Sequence, residues 1–147
     1  MKSSFAQIGA ALAAGALALA LASPASAQQS FGMKVYVPFS FLAGDRAFPA
    51  ADYWVRVDQQ FHVVEVRAAG ETAGYRILLN PSTTERKGAA AAYGALRFAK
   101  YGSTYALRGV WDGGATDGYE LMMSNSELQL AKAVGGSATG EAGVTIH

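Results

Sequence analysis

The chain has 147 residues, with 12 Lys and Arg against 11 Asp and Glu, 51% hydrophobic residues and no cysteine. Lack of cysteine excludes disulfides, thiol chemistry and cysteine-based metal sites, and a formal net charge of +1 gives no long-range field for nucleic acid. The length suits one domain with a real core and is short for two.

Residues 1–27 carry Lys2 as their only charge, an apolar run from Ile8 to Leu21, and Ala25-Ser26-Ala27 ahead of Gln28-Gln29. A basic start holds the inner leaflet, the apolar middle partitions into the membrane, and small residues fit a peptidase, so this stretch reads as a secretory signal peptide. The run is short of the ~20 residues that span hydrocarbon, and no cysteine follows it to carry a lipid. Cleavage after Ala27 leaves 11 basic and 11 acidic residues. The expectation is a periplasmic or secreted protein of near-zero charge that does not span the membrane.

Beyond the signal peptide the dominant period is two. In Lys34 to Phe41 the odd positions Val35, Val37, Phe39 and Phe41 are apolar, the pattern of a half-buried strand. Pro38 cannot donate to a ladder, which puts this strand at an edge or a bulge. Leu42 to Ala51, with Gly44, Asp45 and Pro49, reads as a turn region. Tyr53-Trp54-Val55-Arg56-Val57 resumes the alternation, with Trp54 and Arg56 outward. A tight connection over Asp58-Gln59-Gln60 leads to a strand over Phe61–Arg67, and a further strand over Gly74–Leu79 is expected to end at Asn80-Pro81. Residues 82–94 read as a surface loop with a helical turn over the alanines.

In Arg97 to Gly114 a two-residue turn at Gly102-Ser103, with glycine supplying positive φ, makes paired residue numbers sum to 205. Phe98 then faces Leu107, Lys100 faces Tyr105, and Arg97 faces Arg108, a like-charge pair that needs a wet face. On this register Leu96, Phe98, Tyr105, Leu107 and Trp111 share the buried side, and Tyr101 lies on the other. Asp112 to Gly118 is a loop, and Tyr119–Met123 a last strand. Ser124-Asn125-Ser126-Glu127 has capping-box spacing, so a helix of about ten residues to Val134 follows, stopped by Gly135-Gly136. From there on, Gly, Ala and Thr offer little to bury, and composition marks residues 135–147 as a disordered tail, with Val144-Thr145-Ile146 able to add to a sheet edge. The expected organisation is residues 1–27 as signal peptide, 28–134 as one β domain and 135–147 as tail. Its fold class is all-β and mainly antiparallel, a single β-sandwich or small β-barrel with one short C-terminal helix.

Val37-Pro38-Phe39-Ser40-Phe41 with Gly44, Pro49-Ala50 with Tyr53 and Val55, Leu96-Arg97-Phe98 with Tyr101-Gly102, Tyr105-Ala106-Leu107 with Val110-Trp111, Gly118 with Glu120-Leu121, and Ser124 with Glu127, Leu130 and Ala131 follow one another in a distinctive order. Over residues 34–132 the chain resembles a group of small exported β-rich bacterial proteins, of acidobacterial type, with no assigned activity. The resemblance implies a compact β-rich domain and nothing catalytic. Ala51 stands where such proteins carry glycine after Pro-Ala.

Chemistry-bearing residues are few. Past the signal peptide the histidines are His147, the terminal residue, and His62, which reads as a packed or surface strand residue and not as the base that nucleophilic catalysis needs. Gly136-Ser137-Ala138-Thr139-Gly140 lacks the spacing of a nucleophile elbow. Glu65, Glu85 and Glu120 are the carboxylates on which glycoside hydrolysis would draw, with nothing in the sequence to bring two together. Asp112 and Asp117, in a glycine-rich loop, are candidate oxygen ligands for Ca²⁺ at a spacing that fits neither an EF-hand nor a nonapeptide repeat; no cofactor is implied. Tyr36, Trp54 and Tyr101 are the rings predicted to face away from the core, a candidate stacking platform. These features point to a non-enzymatic exported binding or envelope-associated module whose partner is a small molecule, a glycan or an envelope protein and not nucleic acid. The alternative is a self-associating structural or adhesive surface protein.

Overall fold

A computed structural model describes residues 30–85 and 94–146. The stretch expected to be a signal peptide, the alanine run with Tyr93, and His147 lie outside them. Ten strands and one helix follow in the order β1 (Ser30–Val37), β2 (Phe41–Ala43), β3 (Arg46–Phe48), β4 (Ala51–Asp58), β5 (Val63–Ala68), β6 (Tyr75–Glu85), β7 (Ala95–Tyr101), β8 (Thr104–Trp111), β9 (Asp117–Leu121), α1 (Asn125–Ala133) and β10 (Gly140–Thr145). The class is all-β. The sheet is mixed and open: every ladder is antiparallel except β2 on β8, and β1 and β10 touch without pairing, so no barrel closes.

Alternation builds the first half as the sequence predicts. β1, β4, β5 and the first part of β6 run side by side, sending Val35, Val37, Tyr53, Val55, Val57, Val64, Val66 and Ile77 inward. Among the described residues β1 pairs only with β4, an edge position, which is one of the two places expected for the strand that runs up to Pro38. The expected strand from Lys34 to Phe41 breaks at Pro38–Ser40, after which β2 and β3 form a small hairpin across Gly44-Asp45, where only a turn region was expected. Gly44 sits at φ 62°, a conformation that favours glycine. No positive φ is needed at Ala51, so the missing glycine there is harmless.

β6 does not stop at Asn80-Pro81 but continues to Glu85, now paired with β9. Its register against β9 slips between Leu79 and Thr83, and Pro81 falls within the slip, where a missing N–H leaves no ladder bond broken. By changing partners along its length, β6 carries the sheet from one half to the other. Phe41, Phe48, Leu96, Phe98, Leu107, Val110 and Leu121 from the second half join the valines of the first in one core. Phe41 lies edge-on to Tyr53 and Phe98 with ring centres 5.4 and 5.3 Å away, the favoured aromatic geometry.

The β7–β8 hairpin has the predicted turn. Tyr101 pairs with Thr104, Lys100 with Tyr105 and Phe98 with Leu107, but then the register shifts and Arg97 pairs with Gly109. Arg108 is the extra residue of a β-bulge, so the expected opposition of Arg97 and Arg108 does not occur. The shift also turns Trp111 over: it is buried, but on the face away from the main core, lying on Gly109 and Gly118 with the Arg97 guanidinium 5.4 Å from its ring centre. That outer face is not wet. Helix α1 packs Leu130, Ala131 and Val134 against Ala99, Tyr101 and Ala106.

Ser124 caps α1 by accepting from the Glu127 N–H at 3.1 Å, and its hydroxyl donates to the Gly44 carbonyl at 2.8 Å. The Asp45 carboxylate accepts from the Ser126 N–H at 2.9 Å, which ties the helix start to the β2–β3 turn. Only half of the expected capping box forms, because the Glu127 side chain turns into the protein. It accepts from the Tyr101 hydroxyl at 2.8 Å and from Arg108 Nη1 at 3.4 Å. The helix ends as predicted: the Gly136 N–H reaches the Ala131 carbonyl and the Gly135 N–H that of Lys132, both glycines at φ near 100°, a Schellman closure.

The tail expected to be disordered is β10, paired with β7 from Gly140–Lys100 to Thr145–Ala95. Thr139 fixes its start: its N–H and hydroxyl both donate to the Lys100 carbonyl, and its oxygen accepts from the Gly102 N–H. Ala142, Val144 and Ile146 alternate inward onto the core. Composition undervalues such a strand, since β7 supplies the ladder and the apolar floor.

Candidate binding face

The outer surface of β1, β4, β5 and β6 is the one broad face of the described sheet on which large aromatic and charged side chains lie open together. Because side chains on a strand alternate, the residues between the inward valines line up here in rows across the strands. Lys34 pairs with Trp54 and Trp54 with Arg67, forming one row. Gly32, Arg56, Glu65 and Arg76 form the next, and Tyr36 with Asp52 the row on the other side. Tyr36 is 58% exposed and Trp54 46%.

Trp54 therefore has a cation on each side within its own row, and Arg56 and Asp52 before and behind it along β4. Gly32 adds no side chain beside Arg56, which leaves a cleft of about 300 Å³ lined by Gly32, Trp54, Val55, Arg56, Glu65 and Arg67. A smaller depression of about 80 Å³ continues past Arg56 towards Asp58, Phe61, Val63 and Arg76. Glu65 is folded down over Gly74, where a β-carbon would push it aside, and takes a hydrogen bond from Arg76 Nε at 3.3 Å. Asp58 is likewise occupied, accepting from the Gln60 and Phe61 N–H groups. Arg56 and Arg67 have no carboxylate partner among the described residues.

Of the three rings assigned to a platform, Tyr36 and Trp54 meet on this face. Tyr101 does not: it is buried under α1, and its hydroxyl, desolvated there and donating to Glu127, is pushed up to about 12. Its side chain points away from the main core, as the alternation predicts, and helix α1 covers that face. Sequence reasoning also missed the part played by Gly32, Lys34 and Arg67, although their even or odd positions on β1 and β5 carry the signal once the strand register is fixed.

The other candidates lie apart. Asp112 accepts from the Gly113 N–H at 2.8 Å and Asp117 opens β9; among the described residues no three His, Asp or Glu converge on a metal position. His62 stands in the β4–β5 turn at φ 49°, not within a strand. Glu120 pairs with Arg97 on the far side of β6 from Glu65. No described helix is long and apolar enough to cross a membrane. Compared with known proteins, the chain matches no family model, no curated protein and no solved structure.

Proposed function

We propose that this is an exported binding module, not an enzyme, working in the periplasm or outside the cell on a small molecule, a glycan or an envelope protein. Its domain is best regarded as a β-sandwich bent at β6, a rigid support that presents the outer face of β1, β4, β5 and β6. The observation that carries this reading is Trp54, open beside a cleft flanked by arginines, with Tyr36 open on the same face. Open rings on a firm sheet stack on flat ligands with little ordering cost. Export is supported by the leader-like character of residues 1–27. A resemblance to small exported β-rich proteins agrees with it.

The test is tryptophan emission of wild type and Trp54→Phe during titration with a panel of envelope and polysaccharide fragments. A saturable change in wild type that Trp54→Phe lacks is the expected result, and flat curves for both across the panel overturn the reading. A second reading, self-association, rests on β1, whose outer edge has no ladder partner among the described residues over eight positions; open edges recruit further strands. Growth of the scattering mass with concentration is its signature.

A further inference from the structure

We infer that the face takes an acidic sugar, a pyranose ring carrying a carboxylate such as a hexuronate within a glycan chain. The inference rests on the reading of this face as a binding face and names its ligand class. An exposed indole stacks on the apolar face of a sugar ring whether or not the sugar is charged. The surroundings of Trp54 make the distinction. Lys34 and Arg67 sit on either side of it in one cross-strand row, two strand spacings or roughly 10 Å apart, so a ring centred on the indole has a cation at each rim. Arg56 lies one row on, about 7 Å along β4, and lines the cleft that Gly32 leaves open.

The negative groups of the face largely have partners. Glu65 is held by Arg76 and Asp58 by backbone N–H groups, leaving Asp52, opposite Tyr36, as the one acid next to Trp54 on its strand. Three cations against one free acid make the immediate surroundings of the indole positive, in a chain whose formal charge is only +1. Arginine offers a planar fork that matches a carboxylate with two parallel hydrogen bonds. The cleft, about 300 Å³, lies at the small end of the ~300–1,000 Å³ range of ligand sites, which suits a single sugar unit better than a large cofactor. At the Lys34 end the row reaches the sheet edge at β1, past which a polymer can run on.

The experiment titrates the purified protein with an oligomer of galacturonate and with the same oligomer methyl-esterified, following Trp54 emission and using Trp54→Phe as blank. Esterification removes the charge and keeps the ring. The expected result is saturable binding of the free acid, at least tenfold weaker binding of the ester, and weakening of the free acid as salt rises to about 0.3 M, where screening reaches within a few ångströms. Arg67→Ala and Arg56→Ala each lower affinity about tenfold, with circular dichroism unchanged and the melting temperature little moved, because Arg56 is exposed and Arg67 half-buried on the outer face. Equal, salt-independent binding of acid and ester that still needs Trp54 overturns the acidic class and leaves the binding face standing. Emission unmoved by either oligomer also overturns the inference, while the wider panel decides separately whether the face binds anything.

Discussion

Replacing Glu127 probes the contact that holds the helix to the sheet. The residue is 3% exposed, and its carboxylate takes a hydrogen bond from Tyr101 at 2.8 Å and another from Arg108 at 3.4 Å. Charge-assisted hydrogen bonds contribute about 1.5–3 kcal/mol each, and breaking a buried pair costs about 3–5 kcal/mol. Arg108 keeps 19% of its side chain in solvent and can turn to water, which places Glu127→Ala near the lower end, at about 3 kcal/mol. For a domain of this size that is a fall of roughly 10–15 °C in Tm. Tyr101→Phe should cost about 1.5 kcal/mol, and the double variant should fall short of the sum by about 1–2 kcal/mol. Urea unfolding of the four proteins measures this cycle. Strict additivity, with a coupling below ~0.5 kcal/mol, would refute the claim that the two side chains act as a unit. The Tyr101 pKa, raised by burial and by Glu127 to about 12, sets the matching pH dependence. With ~10 in the unfolded chain, the raised value contributes stability below pH 10 that is lost as pH climbs through 12. Tyr101→Phe should reduce that alkaline loss, leaving the part due to Tyr53 and Tyr119, whose pKa values burial also raises.

Three further outcomes follow from the packing. Gly118→Ala would drive a methyl group into the Trp111 indole and should cost about 2–3 kcal/mol in urea unfolding, most of it recovered in combination with Trp111→Leu. Asp45→Asn should loosen the helix start: the Asp45 pKa is lowered chiefly by the Ser126 N–H, so its contribution is present above pH 4 and lost on acidification, and the acid limb of an unfolding curve should flatten in the variant. Removing residues 137–147 should destabilise the domain by at least about 3 kcal/mol through loss of the half-buried Val144 and Ile146 and exposure of the β7 edge; an unchanged Tm would mean that β10 adds nothing to the fold.

What could be read in advance was whatever neighbouring residues decide between themselves. The inward valines of β1 and β4 announce their strands through alternation, and the turn at Gly102-Ser103 through glycine chemistry, so Tyr36 and Trp54 could be placed outside before any strand partner was known. What stayed hidden depends on residues distant along the chain. The bulge at Arg108 is tied to Glu127, 19 residues on, and to the glycine floor at Gly118. Pro81 looked like a stop because the change of partner within β6 is a property of the sheet. Tyr101 looked available because the helix that buries it follows 24 residues later, and Arg67 joined Trp54 only through strand pairing.

The unpaired residue at 108 has a consequence for how this chain tolerates changes in length. It resets the odd–even count along β8, so that Leu107 and Val110 both enter the core while Trp111 rests outside. Kept in a straight ladder, Arg108 would present Val110 to the glycine floor and force the indole among the valines, whereas deleting its codon would leave Leu107, Gly109, Val110 and Trp111 on their native faces and lose only the contact with Glu127. Codons added between Asp112 and Thr116, where the chain merely turns, would leave the count untouched.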